Sequence, residues 1–515
     1  MLSLLSLFSI AQLSIPAPVA PPVPTPMPPP QRQILQPQQV RSLPGQLDDV
    51  PVVNSNSPEL VLSEGILLST FPPSGRQVPS AHLNYRLSGR FDFFAHHIAR
   101  GRTPDDSRPL YQGVVVYNPG RRSVNLDILQ GASYLSQEAP FNNLPAYVAN
   151  PLGVVFAGPG SRVMNDLLRG QRQAALPARI TIAPRQMQLL MNAPIPLRRP
   201  VPNQNIAQTG TLNPLPGLAT VPRANPAIPT PPPAPITGPL PLNGRSTLMH
   251  LSSNGSVYMA SLAMFAQPVP NLNPLNPIPT YRAPTLAEWQ ALLTRSGLAG
   301  PRDIAPTPPE RGNVTPFYYG RVAGVSRGSQ WVAQLTDTQG SDRLSIPQQG
   351  EAFSYAISTV DNGTLGTRQI QSAPMLARYP DTAYRAHGNY GTLYDLTMPL
   401  YNGTNAPQTV GVMLQTPIKE EVLVRSGLRF LEPPDDRIFF RGTVRIRYTD
   451  DMGIAETRYL HLVQRRGQAG APLIRLRMPP GDRRLVQVQF LYPPDSTPPQ
   501  VLTVQTLPSL PLGQP

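Results

Sequence analysis

Gly113-Val114-Val115-Val116-Tyr117-Asn118-Pro119-Gly120, running on past two arginines and a serine into Val124-Asn125-Leu126-Asp127-Ile128-Leu129, decides the fold class. A β-branched run, a turn triplet and an alternating apolar/polar run predict two strands joined as a hairpin with one solvated face. Arg179-Ile180-Thr181-Ile182 predicts a further half-buried strand. Between them a short helix is expected, with Ser161 as N-cap after Gly158-Pro159-Gly160 and Gly170 as its stop. Thr247-Leu248-Met249-His250-Leu251 and Val257-Tyr258-Met259-Ala260 flank Asn254-Gly255, a two-residue hairpin signal. Strand texture resumes with Tyr318-Tyr319-Gly320-Arg321-Val322 and Gln330-Trp331-Val332-Ala333-Gln334-Leu335 and persists to about Thr506.

Working outward from the opening stretch, a weak repeat emerges. Val116-Tyr117-Asn118 reaches Leu129-Gln130 through a turn and a strand, and Leu400-Tyr401-Asn402 reaches Leu414-Gln415 in the same way. Arg169-Gly170-Gln171 precedes Ile180-Thr181-Ile182-Ala183-Pro184, while Arg466-Gly467-Gln468 precedes Ile474 to Pro479. The fold class expected is therefore mainly β: two antiparallel β-sandwich domains of immunoglobulin-like character, with short helices and long Pro-rich connectors. An internal duplication accounts for the matches, and so does turn chemistry that all sandwiches share; both readings stay open.

Proline divides the chain. Pro16 to Pro37 holds ten prolines in 22 residues, and residues 194–243 hold fifteen in 50, neither compatible with sheet interior. The division expected is a signal peptide over 1–11, a Pro-rich leader over 12–45, and a first β domain over 46–193 plus 246–266 interrupted by an excursion over 194–245. A linker over 267–311 follows, with a capped helix over 285–296, then a second β domain over 312–506 and a tail over 507–515. Thr285 and Glu288 form a capping box, and Trp289, Leu292 and Leu293 an apolar stripe, read as a clasp between domains. Leu2 to Ile10 is apolar and Ser9-Ile10-Ala11 supplies a small-x-small site, so export to the periplasm, cell surface or exterior is expected. No Lys or Arg precedes Arg32, which places the true start in doubt. No apolar run reaches the ~20 residues of a membrane helix, so no transmembrane span is expected.

Composition narrows the chemistry. Cysteine is absent, which removes disulfides, thiolate metal sites and a cysteine nucleophile. His82, His96, His97, His250, His387 and His461 lack metal-binding spacing, and no nucleophile elbow or phosphate loop occurs, so no metal, cofactor or enzymatic activity is expected. Asp105-Asp106, Asp435-Asp436 and Asp450-Asp451 read as solvated turns, with calcium loops as the alternative. Net charge is +14, and Lys419 is the only lysine among 43 basic residues. Arginine pairs bidentately with carboxylate and sulfate. Arg445 and Arg447 share one face of their strand, as do Arg475 and Arg477 of theirs; if the strands are neighbours, four guanidiniums form a binding patch for anionic polysaccharide or envelope polymer rather than nucleic acid.

His387-Gly388-Asn389-Tyr390-Gly391, Phe439-Phe440-Arg441-Gly442-Thr443-Val444-Arg445 and the stretch from Tyr492-Pro493-Pro494-Asp495 to Leu502-Thr503 resemble an uncharacterised family of exported cyanobacterial proteins, a domain of unknown function. The resemblance covers most of the chain after about residue 45 and implies an envelope or extracellular setting. It supplies no activity to carry over. The function expected is a non-catalytic exported structural or binding protein of the envelope or extracellular matrix; the alternatives are a polysaccharide-active enzyme and a protein-recruitment module acting through Pro-rich segments. Replacing Arg445, Arg447, Arg475 and Arg477 together by Gln should reduce retention on an acidic glycan column if they form one patch, and unchanged retention removes the patch.

Overall fold

Leu110–Tyr117 and Val124–Leu135 are both strands, but they do not pair with each other. Leu110–Tyr117 lies between Met187–Ile195 and the end of the long strand Leu242–Phe265, whereas Val124–Leu135 lies between Arg179–Ile182 and the beginning of that long strand. The expected hairpin is therefore an arch crossing from one layer to another, and Asn118 is the reason. Its buried Nδ2 donates to the carbonyls of Arg122, Ile182 and Ala183 at 2.7, 2.9 and 3.2 Å, and its Oδ1 accepts the Gly120 N–H at 2.8 Å. These bonds tie the turn to a distant strand end, so it cannot close straight back on itself.

The structure, a computed structural model, describes residues 30–197, 240–270, 280–312, 314 and 316–508. The expected signal peptide, residues 12–29 of the leader, residues 198–239 of the excursion, residues 271–279 of the linker and residues 509–515 of the tail lie outside the described residues. What is described is mainly β, with 28 strands and two α-helices, and no described helix is long and apolar enough to cross a membrane.

Leu242–Phe265 is 24 residues long and corrects the second expected hairpin. It runs straight through Asn254-Gly255: residues 242–257 pair with Leu87–Arg100, and residues 258–265 pair with Leu110–Tyr117. The register shifts between Ser253 and Val257, where Asn254 Oδ1 accepts the Asn125 N–H at 2.8 Å and Ser253 Oγ donates to the Gly255 carbonyl at 2.7 Å. A Cβ on Gly255 would stand 2.6 Å from Val124. The glycine thus serves close packing at a corner rather than a two-residue turn. Between the two layers this strand joins lies a core of Phe91, Phe93, Val114, Leu126, Met249 and Met259 among others.

In the C-terminal half, a seven-stranded and a five-stranded sheet face each other across the largest core. Leu393–Tyr401 alternates buried and half-buried residues, and its Tyr394, Leu396, Met398 and Leu400 oppose Val410, Val412, Leu476 and Val504 of the other sheet. Pairings here echo those of the first half. Leu393–Tyr401 pairs with Arg483–Leu491, and Gln408–Gln415 with Ile474–Met478. Asn402 repeats the role of Asn118: Nδ2 donates to Ala406, Met478 and Pro479 at 3.0, 2.8 and 3.1 Å, and Oδ1 accepts the Thr404 N–H at 3.0 Å. The sheets are mixed rather than purely antiparallel. Pro51–Ser55 runs parallel to Leu87–Arg100, Gln39–Arg41 to Ala352–Ile357, and Gln330–Gln334 to Leu393–Tyr401, because each reaches its partner through a long connection and not a tight turn.

The halves interlock. Residues 32–41, expected in a leader, form Arg32–Pro37 and Gln39–Arg41, which pair with Gly427–Glu432 and Ala352–Ile357 of the second half. Tyr147–Ala149 joins the seven-stranded sheet, while Ala323–Arg327 pairs with Pro51–Ser55, so the sheets do not divide at the expected boundary near residue 312. Helix α1 (Ser161–Leu168) is capped by Gly160 at φ +74° with Ser161 as its first residue, and ends before Gly170 at φ +77°. It sits between the halves, its Val163, Met164 and Leu167 packing with Phe94, Leu248 and Leu491. Helix α2 (Leu286–Arg295) has the capping box of Thr285 and Glu288, but Trp289 and Leu293 pack on Ile66, Val115 and Leu262 of the first half. The clasp is α1, not α2.

Asn118→Ala and Asn402→Ala should each destabilise the protein by about 2–4 kcal/mol in denaturant titration, since each leaves buried carbonyls without donors. Equal losses at the two sites are the outcome that their matching bonds predict.

Candidate functional site

The four arginines do not meet. Arg445 and Arg447 lie on Ile438–Thr449 in the seven-stranded sheet, and Arg475 and Arg477 on Ile474–Met478, the edge of the five-stranded sheet. Val444 and Ile446 on the first strand, and Ile474 and Leu476 on the second, fill the shared core, so by strand alternation the guanidiniums leave on opposite outer faces. Arg445 is structural: Nε donates to Gln489 Oε1 at 2.7 Å and Nη1 to the Leu168 carbonyl at 3.0 Å, closing the C-terminal end of α1. Arg447, Arg475 and Arg477 are exposed to solvent.

A cleft of about 440 Å³ opens where the interlocked segments converge. Asn54 reaches it from Pro51–Ser55, Asn56 and Glu59 from the segment after that strand, His96 from Leu87–Arg100, and Asp303 from the connection following α2. The remaining wall is Tyr318-Tyr319-Gly320-Arg321 and His387-Gly388-Asn389-Tyr390, with Pro494 beside them. Residues 318–322 are irregular where a strand was expected, and Ala323 is the first to pair. Gly320 at φ +72° turns the chain there and sends its neighbours into the cleft.

Arg321 is the centre of charge. Its Nε and Nη2 reach Glu59 Oε2 at 2.8 and 2.6 Å, and its Nη1 reaches Asp303 Oδ1 at 2.8 Å. Glu59 Oε1 lies 3.6 Å from His96 Nε2, and His96 Nδ1 is 2.8 Å from Ser246 Oγ. Burial would raise the Glu59 carboxyl, but His96 and Arg321 outweigh it and hold it down to about 2. Asn54 and Asn56, 4% and 8% exposed, have Oδ1 atoms with no hydrogen-bond donor. Both oxygens are covered by the surrounding protein, as Asp495 Oδ2 is, so they do not face the cleft opening.

One wall is braced from behind. Tyr319 packs edge-on to Phe317 at 4.9 Å and against His387 at 5.1 Å. Its hydroxyl donates to the Asp361 carbonyl and accepts from Lys419 Nζ, which stands 4.4 Å from the ring centroid. Burial, against the pull of Asp361 and Glu421, lowers Lys419 to about 8. His387 Nε2 is 2.5 Å from the Gly320 carbonyl, and burial lowers its pKa, so the neutral ring donates there and keeps Nδ1 as an acceptor.

The other sequence candidates are engaged elsewhere. Asp435 binds Arg437 and Arg466, Asp450 accepts the N–H groups of Met452 and Ile454, and Asp106 accepts those of Arg102 and Arg108, all turn-stabilising bonds. His96 and His97 point to opposite sides, His97 toward Ser55 and the Pro58 carbonyl at 2.9 and 2.8 Å. Asp495 has its pKa raised by burial, but its Oδ2 is covered and sits 3.1 Å from Arg441 Nη1.

Sequence reading passed over Asn54, Asn56, Glu59 and Arg321 because they are separated in the chain and carry no spacing motif. The His387-to-Gly391 stretch did stand out, as a marker of family resemblance, and four of its five residues line the cleft. A family model described as protein of unknown function (DUF3370) matches residues 38–506. No curated protein matches the chain.

A carboxylate held below its ordinary 4.5 contributes stability above that pH and loses it as pH falls toward about 2. Thermal melts across this window should therefore show Glu59→Gln less stable than the natural protein near pH 6, with the difference shrinking toward pH 2. A constant difference means the ion pair does not hold Glu59 ionised.

Proposed function

Because the chain belongs to this DUF3370 family of unknown function, we propose its role from geometry and composition: a non-catalytic, exported binding protein of the cell envelope or extracellular matrix that holds a polysaccharide in the cleft around Arg321. The observation that carries the reading is a cleft of monosaccharide-to-disaccharide size lined by Asn54 and Asn56 together with Tyr318, Tyr319 and Tyr390. Tyr318, 47% exposed at the rim, offers a ring face on which a sugar can stack.

Support for a non-catalytic role comes from the carboxylates. Glycoside hydrolysis needs one carboxyl kept protonated and a second one free, both facing the bond to be broken. Here Glu59 and Asp303 share one arginine, and Asp495, the carboxyl raised by burial, is turned toward Arg441 behind Pro494. Export is supported by the apolar run Leu2 to Ile10 and the small-x-small site before Gln12. The net charge of +14 draws anionic polymer to the surface over about a Debye length, a role that exposed Arg447, Arg475 and Arg477 serve without forming one patch.

For the architecture, we read the halves as two related β-sandwiches derived from an internal duplication. The matching bonds of Asn118 and Asn402, and the matching partners of the strands around them, support it.

Affinity electrophoresis in gels carrying a panel of polysaccharides tests the binding role. At least one should retard the protein, Tyr318→Ala should abolish the retardation, and no reducing ends should be released. Retardation unchanged in Tyr318→Ala and Asn56→Ala would place binding outside the cleft.

A further inference from the structure

We infer that the arch at Asn118 and the turns beside it form a second binding site, one for the anionic groups of an acidic polysaccharide. It shares no residue with the cleft lining and does not depend on the reading given to the cleft.

Four segments meet at one end of the first half. Tyr117 pairs with Met187 and Tyr258, Val124 with Ile182, and Leu87 with Val257. Arg121 and Arg122 therefore stand on the arch, Arg185 on the turn before Met187–Ile195, and Arg86 just ahead of Leu87–Arg100. Asn118 joins the first two places directly. Its Nδ2 donates to the carbonyls of Arg122 and Ala183 at 2.7 and 3.2 Å, and its N–H donates to the Gln186 carbonyl at 3.0 Å. The backbones that carry Arg121, Arg122 and Arg185 are thus fixed beside one another.

The charge at this end is of one sign. Residues 70–91, 117–126, 182–191 and 252–260 contain Arg76, Arg86, Arg90, Arg121, Arg122 and Arg185, and no Asp or Glu. Arg76 donates to Thr294 Oγ1 at 3.0 Å and Arg90 pairs with the buried Asp92, so both are engaged. Asp127, farther along Val124–Leu135, is held by Arg179. Arg86, Arg121, Arg122 and Arg185 are exposed and form no ion pair among the described residues; Arg86 lies 5.9 Å from the Tyr258 ring centroid. The related arch at Asn402 supplies the contrast. There Arg483 and Arg484 are paired with Asp342 and Asp482, at 2.9 and 2.7 Å. One framework carries neutralised arginines in the second half and unpaired ones in the first, so a general richness in arginine does not account for the site.

The partner follows from what lies among the arginines. A guanidinium offers a fork of N–H donors that matches carboxylate or sulfate. Ser123, Gln186 and Asn254 are exposed beside it and supply hydroxyl and amide groups for sugar hydroxyls. No large apolar or aromatic side chain is exposed on these four segments. Single-stranded nucleic acid is held by stacking on aromatic rings, and a membrane surface by apolar side chains that enter the lipid. A surface with free arginines, polar neighbours and neither of those features fits a hydrated, hydroxyl-bearing polyanion.

The test is isothermal titration of the full chain, at roughly 0.05 M salt to limit screening, with polygalacturonate, its methyl ester and dextran sulfate. Polygalacturonate, dextran sulfate or both should bind, and the uncharged ester should not. The triple variant Arg121→Gln, Arg122→Gln, Arg185→Gln should bind about tenfold more weakly or worse. A second triple variant, Arg311→Gln, Arg368→Gln, Arg458→Gln, removes the same charge from exposed arginines on separate segments and should change binding by less than about twofold. Tyr318→Ala, which alters the cleft, should leave this binding in place. Equal losses in the two triple variants mean that net charge alone attracts the polymer, and overturn the site. Loss in Tyr318→Ala but not in the arch variant overturns it too, and supports the cleft. Tighter binding of duplex DNA or phosphatidylglycerol vesicles than of either acidic polysaccharide, lost in the arch variant, overturns the choice of partner. No binding of polygalacturonate or dextran sulfate overturns the inference and leaves the cleft reading to its own test.

Discussion

The strand Leu242–Phe265 is the constraint on which the first half depends. Its backbone is paired on both edges over residues 245–253, to Leu87–Arg100 and Val124–Leu135, and over residues 260–263, to Gly65–Ser69 and Leu110–Tyr117. A polypeptide so paired cannot shift in one layer without breaking bonds in the other. The corner at Asn254-Gly255 therefore fixes how the layers stack, and the core of Phe91, Phe93 and Met249 follows from it. Burial of that core supplies the driving force, while the pairing makes the arrangement unique.

Interlocking then positions the cleft. Ala323–Arg327 adds to Pro51–Ser55, which brings Tyr318 to Arg321 against the segment carrying Asn54, Asn56 and Glu59. Tyr147–Ala149 crosses in the other direction, and α1 fills the space between, its end closed by Arg445. A cleft assembled from irregular segments anchored to neighbouring strands is held at several points by sheet pairing, which limits how far its side chains can move.

Within the cleft, Arg321 decides the chemistry. One guanidinium between two carboxylates offsets part of their charge and holds both side chains in place through charge-assisted hydrogen bonds. Tyr319 is held separately, by Lys419 and the Asp361 carbonyl, so the chain's sole lysine braces a wall rather than adding to the basic surface.

The sequence by itself determined that this is a β protein, where its helices start and stop, and where local turn chemistry acts: Thr285 and Glu288 cap α2, Gly170 follows α1, and Asn118 and Asn402 mark related turns. These features depend on residues a few positions apart, where propensity and local hydrogen bonds suffice. Partner choice was not legible. Asn118-Pro119-Gly120 and Asn254-Gly255 look like hairpin turns, yet one is an arch and the other a bulge, because side-chain bonds to distant carbonyls and the packing of Gly255 against Val124 outweigh the local preference. The same limit applies to charge: alternation placed Arg445 with Arg447 and Arg475 with Arg477 correctly on single faces, but only the tertiary structure could show that these faces point away from each other. The cleft belongs wholly to that second kind of information, since Asn54, Glu59, Arg321 and His387 become neighbours only when long-range strand pairing has closed the chain around them.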